Sequence, residues 1–361
     1  MDAVSRHTTA PIGRFFGLGA ASEDKNVVEL RGVVGSEKLG FFQDPEVIEA
    51  LRAEGFAVEV DAMGSRAMAG IADASGIDFV FPANQQAAQK FAESHPTLGS
   101  DAIFYSPMAI ATFPPILTVL ERAGAATNTG DGWMIDAEKF VDLQRQGTRW
   151  RDLGGEYPSP RAVYTSTTDL RSSNSASLWA AILAWGVSGG RLPGNPVEGK
   201  AVGEEVSRLL LEQGYSESSS ASPFNDYLSL GIGSKPMVVV YESQFLEQEL
   251  SDDTKVTDNM VLAYPNPTIV SFHTFLSLDA DAARLGEVLR TNSDIRRFAL
   301  KHGFRVGESG EINDVLASDG VPLVPASLNT IDQPNFETME AIIEVFEGKL
   351  QPSAQRGTQK D

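Results

Sequence analysis

From residue 27 onward the chain alternates short apolar runs with longer segments of helical periodicity. Residues 27–35 are apolar and β-branched, a pattern typical of a buried strand. Asp44 and Pro45 then have the residue types of a helix N-cap and first helical position. Further strands are predicted at 56–60 and 77–81, each followed by a helix. Strands that alternate with helices at this spacing predict an α/β fold with a parallel sheet covered on both faces.

The second half of the chain repeats this alternation with longer interruptions. Strands are predicted at 162–167 and 236–241, loops at 186–199 and 217–223, and helices at 136–147, 176–185, 202–213, 243–250, 280–291, 294–302 and 335–350. Two extended segments, 101–112 and 260–278, are long for single strands. We therefore expect each of them to cross between two α/β halves.

The predicted domain organisation follows from these two crossings. Lobe 1 comprises residues 27–110 together with 265–350, and lobe 2 comprises residues 111–264. Residues 1–26 are expected to be a flexible leader, without the basic and apolar regions of a signal peptide, and residues 351–361 a flexible tail.

Composition narrows the classes of function. A chain of 361 residues with 42% hydrophobic residues is long enough for two lobes. The absence of cysteine excludes disulfides, thiolate metal sites and a cysteine nucleophile. A formal charge of −20 argues against nucleic acid or an anionic membrane as a partner. No stretch approaches the length of about 20 apolar residues that a spanning helix needs.

The order of elements resembles the two-lobed type II periplasmic-binding-protein fold, in which each lobe is a mixed sheet flanked by helices and two hinge crossings join the lobes. Residues 31–38, 147–153 and 264–268 are also similar to short sequence segments in bacterial, particularly actinobacterial, solute-binding lipoproteins of ABC transporters. The chain lacks the lipid-anchoring cysteine of that family. The resemblance implies a monomeric extracytoplasmic protein, lipid-anchored in its native form, that delivers a small solute to a permease without a cofactor.

Ligands of open α/β sheets gather at the carboxyl ends of the strands. Polar residues follow each predicted strand of the first half: Ser36, Glu37 and Lys38; Ser65 and Arg66; Asn84 and Gln85. Arg66 has the planar fork that binds a carboxylate or an oxyanion. The alternatives are ordinary polar turns, an exposed arginine, and an N-cap role for Asn84.

The strongest candidate in the second half is the run Ser172, Ser173, Asn174 and Ser175, which precedes an apolar helix. Helix N–H groups, the helix dipole and four polar side chains would converge there on a phosphate, a tungstate-like oxyanion or a carboxylate. Tyr241 and Glu242 follow a later strand. Glu242 favours a cationic or donor-rich group, which conflicts with an anionic ligand.

No motif in the sequence indicates a catalytic site. The histidines at 7, 95, 273 and 302 show no metal-binding spacing, and Gly-x-Ser-x-Gly is absent. We therefore expect no catalytic residue, metal or cofactor, and a solute-binding protein that closes over a small polar ligand, with an anion as one option. Two alternatives stay open: a sensor or assembly module with the same fold, and an enzyme on a two-lobed scaffold.

Overall fold

A computed structural model describes residues 27–213, 221–307 and 310–350. The predicted leader and tail lie outside these ranges, as do residues 217–220 of the predicted Ser-rich loop. Among the described helices, none combines the length and the apolar character needed to cross a membrane.

The described strands form two sheets that share one long strand. The strands are β1 (Val28–Val34), β2 (Phe56–Ala62), β3 (Phe79–Phe81), β4 (Gly99–Thr112), β5 (Ala126–Asn128), β6 (Trp133–Asp136), β7 (Val238–Tyr241), β8 (Val261–Asn266) and β9 (Val270–Ser277). In the first sheet, β2, β1 and β3 are parallel neighbours, and antiparallel β9 joins them to β4. In the second sheet, β4 pairs with β7 and β8, and β6 joins β8 to β5.

Helices flank both sheets. They are α1 (Leu39–Gln43), α2 (Pro45–Ala53), α3 (Ser65–Ala69), α4 (Gln85–Ser94), α5 (Pro114–Arg122), α6 (Ala137–Arg145), α7 (Asn174–Val187), α8 (Pro196–Leu211), α9 (Ala221–Leu230), α10 (Glu242–Leu250), α11 (Ala280–Thr291), α12 (Ser293–Lys301), α13 (Glu311–Ser318) and α14 (Phe336–Leu350). The predicted start of α2 is confirmed, because the Asp44 side chain accepts a hydrogen bond from the backbone N–H of Glu46 and Pro45 is the first helical residue. The α/β class predicted from the alternating pattern is therefore confirmed.

The two predicted crossings are confirmed as the strands that join the sheets. Residues 99–107 of β4 pair with β9 in the first sheet, whereas residues 108–112 pair with β7 and β8 in the second. The chain returns through β8 and β9. Thr268, between these two strands, donates a hydrogen bond from Oγ1 to the carbonyl oxygen of Met108 at 2.7 Å. Both connections are thus held together where the sheets meet.

The predicted lobe boundaries stay a prediction, and one element departs from them. Helix α14 lies in the range assigned to lobe 1, yet it packs mainly along α8, in the range assigned to lobe 2. Gly199 and Gly203 of α8 allow this approach, because a Cβ at Gly199 would lie 2.8 Å from the carbonyl oxygen of Thr338 and one at Gly203 would lie 3.2 Å from Val345 Cβ.

Three predicted elements differ from the structure. Residues 221–223 of the predicted loop 217–223 belong to α9. The predicted loop 186–199 ends early because α8 begins at Pro196, where Asn195 caps the helix through hydrogen bonds from the amides of Val197 and Glu198. The predicted strand 162–167 forms no ladder. Its pairing is limited to two isolated bridges, an antiparallel one from Ala162 to Arg149 and a parallel one from Ser166 to Val238 at the start of β7. The segment is therefore an extended connection rather than a strand.

His302, at the C-terminus of α12, lies between two carboxylates. Its Nε2 is 2.9 Å from Asp44 Oδ2, and its Nδ1 is 2.6 Å from Glu247 Oε1. A neutral imidazole has one N–H, so two carboxylate partners require the imidazolium form. Asp44 precedes α2 and Glu247 belongs to α10, so this charged histidine connects a helix beside the first sheet to one beside the second.

We expect the contribution of His302 to stability to depend on pH. Burial alone lowers the pKa of His302, but the hydrogen bonds and charges of Glu247 and Asp44 outweigh burial and raise it above 6.5. The folded protein therefore binds this proton more tightly than the unfolded chain, so the stabilisation is complete below pH 6.5 and is lost as the pH rises through the raised pKa. His302→Gln should lower the free energy of unfolding at pH 6 by about 1.5 kcal/mol. In urea unfolding of both proteins from pH 6 to 9.5, a difference that does not narrow with pH would contradict this assignment.

Candidate functional site

A cavity of about 310 Å³ lies where strand-end loops of the two sheets meet. Its lining consists of Gly35, Ser36 and Glu37 after β1; Ala62, Met63, Gly64 and Ser65 after β2; Ser172, Ser173 and Asn174 at the N-terminus of α7; and Tyr241 at the end of β7. The carboxyl ends of strands from both sheets thus border one space, which is the place where open α/β sheets bind ligands.

The structure brings seven of the thirteen predicted ligand residues to this lining and places six elsewhere. The seven are Ser36, Glu37, Ser65, Ser172, Ser173, Asn174 and Tyr241, and the six are Lys38, Arg66, Asn84, Gln85, Ser175 and Glu242. Four further lining residues, Gly35, Ala62, Met63 and Gly64, have no polar side chain that would have marked them in the sequence. Ligand contact by the seven stays a prediction.

A buried charge cluster supports the loop after β1. Lys38 is fully buried, and its Nζ donates to Glu37 Oε1 and lies 2.9 Å from Nδ1 of His273 on β9. The same ammonium lies 4.9 Å from the centroid of the Phe81 ring. Lys38 therefore fixes the position of the Glu37 carboxylate and connects the loop after β1 to β9.

The protonation states within this cluster follow from its burial. Burial alone raises the pKa of Glu37, but the positive charge of Lys38, with a contribution from His273, outweighs it and holds that pKa well below its usual range. Burial and the neighbouring charge of Lys38 lower the pKa of His273 to about 4. Burial also lowers the pKa of Lys38, and the charge and hydrogen bond of Glu37 oppose that shift. The contact between Lys38 and Glu37 is that of an ammonium with a carboxylate, beside a neutral imidazole whose Nδ1 accepts from Lys38.

A series of hydrogen bonds between amide and hydroxyl side chains connects α4 to the end of β7. Asn84 caps α4, since its Oδ1 accepts from the backbone N–H of Ala87 at 2.6 Å, as the N-cap alternative predicted. Its Nδ2 donates to Asn174 Oδ1, and Asn174 Nδ2 donates to the hydroxyl of Tyr241 at 2.8 Å. Burial raises the pKa of Tyr241, so its hydroxyl stays neutral. This series fixes the orientation of Asn174 and Tyr241 in the cavity wall.

The N-terminus of α7 faces the cavity through its capping residues. Ser173 is the N-cap, and its side chain makes no hydrogen bond to the first turn. Its Oγ lies instead 2.9 Å from Oγ of Ser175, which is buried and also lies 3.3 Å from Thr168 Oγ1. Ser175 is therefore occupied inside the fold, whereas Ser172, Ser173 and the positive end of the helix dipole border the cavity.

Arg66 is placed outside the cavity, contrary to its predicted use as an oxyanion fork. Its Nε and Nη2 donate to the two carboxylate oxygens of Glu340 on α14, at 2.7 and 2.8 Å. Its Nη1 donates to the carbonyl oxygen of Arg171 at 3.0 Å. The Arg66 guanidinium does bind a carboxylate, but that carboxylate belongs to Glu340 of the protein itself and not to a ligand. Gln85 is exposed and also lies away from the lining.

Glu242 also lies outside the cavity, in a buried ion pair. Its carboxylate accepts from Nε and Nη2 of Arg305 at 2.7 and 2.8 Å and from the hydroxyl of Tyr264 at 2.7 Å. The negative charge of Glu242 is therefore neutralised inside the protein. The predicted conflict between Glu242 and an anionic ligand does not arise.

Gly64 marks a direct contact between the two sides of the cleft. A Cβ built at this position would lie 2.3 Å from the carbonyl oxygen of Ser172. The φ angle of Gly64 is −68°, which any residue adopts, so glycine is needed here for space alone. The loop after β2 therefore touches the segment before α7, and the two sides meet at the edge of the cavity.

No protein-family model and no curated protein matches the sequence, but solved structures share the fold. The sulfate-binding protein SubI from Mycobacterium tuberculosis H37Rv aligns with a TM-score of 0.53 at 14% identity, covering 90% of this chain and 99% of its own. A periplasmic thiamin binding protein gives 0.57 at 10% identity, with coverages of 92% and 100%. Iron-bound HitA from Pseudomonas aeruginosa gives 0.56 at 11% identity, with coverages of 90% and 100%. The chain therefore has the two-lobed type II periplasmic-binding-protein fold that its order of elements resembles.

Proposed function

We propose that this protein is an extracytoplasmic solute-binding protein that captures a small polar solute for an ABC importer. The observation that carries the proposal is the cavity of about 310 Å³ bordered by strand-end loops of both sheets. Its size and its mixture of hydroxyl, amide and carboxylate groups suit a small polar molecule. Similar structures are described as binding sulfate, thiamin and iron, which supports a solute-binding role.

Capture by closure is part of the proposal. Gly64 contacts the carbonyl of Ser172, and Asn84 donates to Asn174, so both contacts join a loop of the first sheet to the N-terminal region of α7. Two strand connections, β4 and β8–β9, link the sheets and supply the hinge. Rotation about them would widen the cavity and release the solute.

The cavity chemistry favours binding over turnover. The serines in the cavity lining are Ser36, Ser65, Ser172 and Ser173, and none of them has a histidine hydrogen-bond partner among the described residues. A serine nucleophile needs such a base.

The permease partner, the monomeric state and lipid anchoring in the native form rest on the resemblance alone and belong to the same proposal.

The proposal predicts that a solute raises the melting temperature and that Gly64→Ala weakens binding. The added methyl group would meet a backbone oxygen only when the two sides of the cleft are together, so it should disfavour closure by about 1–3 kcal/mol, or about tenfold to a hundredfold in affinity. The measurement is a thermal-shift screen of oxyanions, amino acids, sugars and polyamines, followed by titration calorimetry of the best binder.

Gly70→Ala is the matched control for this experiment. Gly70 ends α3 with a φ of −99°, and a Cβ there meets its nearest atom at an ordinary 3.6 Å. It should bind like the parent protein. A screen without any thermal shift would remove the support for solute binding, and parental affinity of Gly64→Ala would remove the support for closure at this contact.

A further inference from the structure

Resting on the proposed function, we propose that the solute carries an amino or hydroxyl group that donates a hydrogen bond to Glu37, and that the protein selects such solutes over simple oxyanions. Its other end would present oxygen atoms to Ser172, Ser173, Asn174 and the N-terminus of α7. The inference concerns the chemical class of the solute and depends on the carboxylate in the cavity wall.

One oxygen of this carboxylate is held by the protein, and the other is available. The Glu37 side chain is only 6% exposed, and its Oε1 accepts from Lys38 and lies 3.3 Å from His273 Nδ1. Oε2 accepts no hydrogen bond from any described residue, although Glu37 lines the cavity. A buried carboxylate oxygen is most stable with a donor, so a solute that supplies an N–H or O–H completes this group.

The neighbouring glycine makes room for this arrangement. The carboxylate folds back over Gly35, where a Cβ would lie 2.1 Å from Oε1 and 2.5 Å from Oε2 of Glu37. Gly35 has a φ of −63°, so its backbone conformation suits any residue and only the space requires glycine. Contacts with Gly35 and Lys38 thus fix where the carboxylate lies.

The charges around the cavity disfavour a simple oxyanion. No Lys, Arg or His belongs to its lining, as far as the chain is described, and Glu37 is the single acidic residue on it. Lys38 balances Glu37 but lies behind it, fully buried, so a bound anion would meet the carboxylate before the ammonium. The low pKa of Glu37 keeps it deprotonated, and it therefore has no proton to donate to an oxyanion.

The opposite wall supplies the complementary chemistry. Ser172, Ser173 and Asn174 line the cavity, and the α7 N-terminus behind them is the positive end of a 14-residue helix. These groups suit oxygen acceptors such as a carboxylate, sulfonate or hydroxyl oxygen. A solute with a donor at one end and oxygen acceptors at the other therefore matches both walls.

The test compares probes that share one acceptor group and differ in the donor. Ethanesulfonate, 2-hydroxyethanesulfonate and 2-aminoethanesulfonate form one series, propionate, lactate and β-alanine form a second, and sulfate is the donor-free anion. We expect the hydroxyl or amino members to raise the melting temperature more than the donor-free member of each series. For the best binder, Glu37→Gln should weaken the dissociation constant measured by calorimetry by about tenfold or more.

Two further variants keep the test decisive. Glu242→Gln is the matched control, since it also removes the charge of a buried, ion-paired glutamate but lies outside the lining, and it should bind as the parent does. If Glu37→Gln does not fold, Gly35→Ala displaces the carboxylate while it keeps its charge, and it should weaken the same probe.

The outcomes separate this inference from the proposed function. If sulfate, ethanesulfonate or propionate stabilises the protein as much as its donor-bearing counterparts, or if the Glu37 and Gly35 variants bind the best probe like the parent, the inference is overturned while solute binding stands. If no probe in any series shifts the melting temperature but the broad screen finds another binder whose affinity the Glu37 variant leaves unchanged, this inference is overturned and solute binding stands. If the broad screen finds no binder either, both are overturned.

Discussion

Arg305→Met is expected to lower the free energy of unfolding by about 3–5 kcal/mol, the range for breaking one partner of a buried ion pair. Arg305 is 3% exposed and Glu242 is fully buried, and two hydrogen bonds join them. The arginine also donates to the carbonyl oxygen of Pro325 at 2.8 Å. Methionine matches much of the side-chain volume, but it leaves Glu242 with Tyr264 as its remaining hydrogen-bond donor among the described residues.

The double variant Arg305→Met/Glu242→Gln distinguishes an uncompensated charge from lost packing. Because it removes both charges, it should recover much of the stability lost in the single variant. Urea unfolding at neutral pH measures all three proteins. A single variant within about 1 kcal/mol of the parent would show that the pair contributes no more than an exposed one.

Lys38→Met is the second substitution with a large expected effect, about 3–5 kcal/mol for the same reason. Lys38 is fully buried, whereas the Glu37 side chain retains 6% exposure, so water reaching the carboxylate should place the loss near the lower end of the range. Without the ammonium, the pKa of Glu37 rises relative to the parent, because the largest opposing charge is lost. The carboxylate also loses the donor that fixes its position, so the variant should lose affinity for an amino-bearing solute.

Stability and binding are expected to respond differently when both charges are removed. Lys38→Met/Glu37→Gln should regain stability but not solute affinity, because the neutral pair folds without supplying a carboxylate. Denaturant unfolding and calorimetry with the best probe measure the two properties. Recovery of both together would mean that the pair stabilises the loop without contacting the solute.

Local patterns were sufficient to predict the alternation of strands and helices and most of the strand-end loops. They did not predict α5, α9, α13, β5 or β6. Asp44 with Pro45 predicted the start of α2, and the segment 101–112 predicted the greater part of β4. The polar run 172–175 was correctly expected at the N-terminus of the apolar helix α7. These predictions succeed because capping, strand pattern and helix periodicity depend on residues close together in the chain.

Partners distant in the chain determined where the candidate residues lie. Arg66 lies outside the cavity because it pairs with Glu340, which is 274 residues later in the sequence. Glu242 lies outside it because it pairs with Arg305, which is 63 residues later. The start of α8 was missed because Gly199, which favours a loop when considered alone, is a packing position for α14.

The sequence by itself therefore determined the α/β alternation, the two crossings and the loops that border the cleft, since these follow from local backbone preference and from the burial pattern of each segment. Only the tertiary structure decided which polar side chains face the cavity and which are neutralised inside the protein. A buried charge requires a partner of opposite sign, and only the folded chain shows which partner lies within hydrogen-bonding distance.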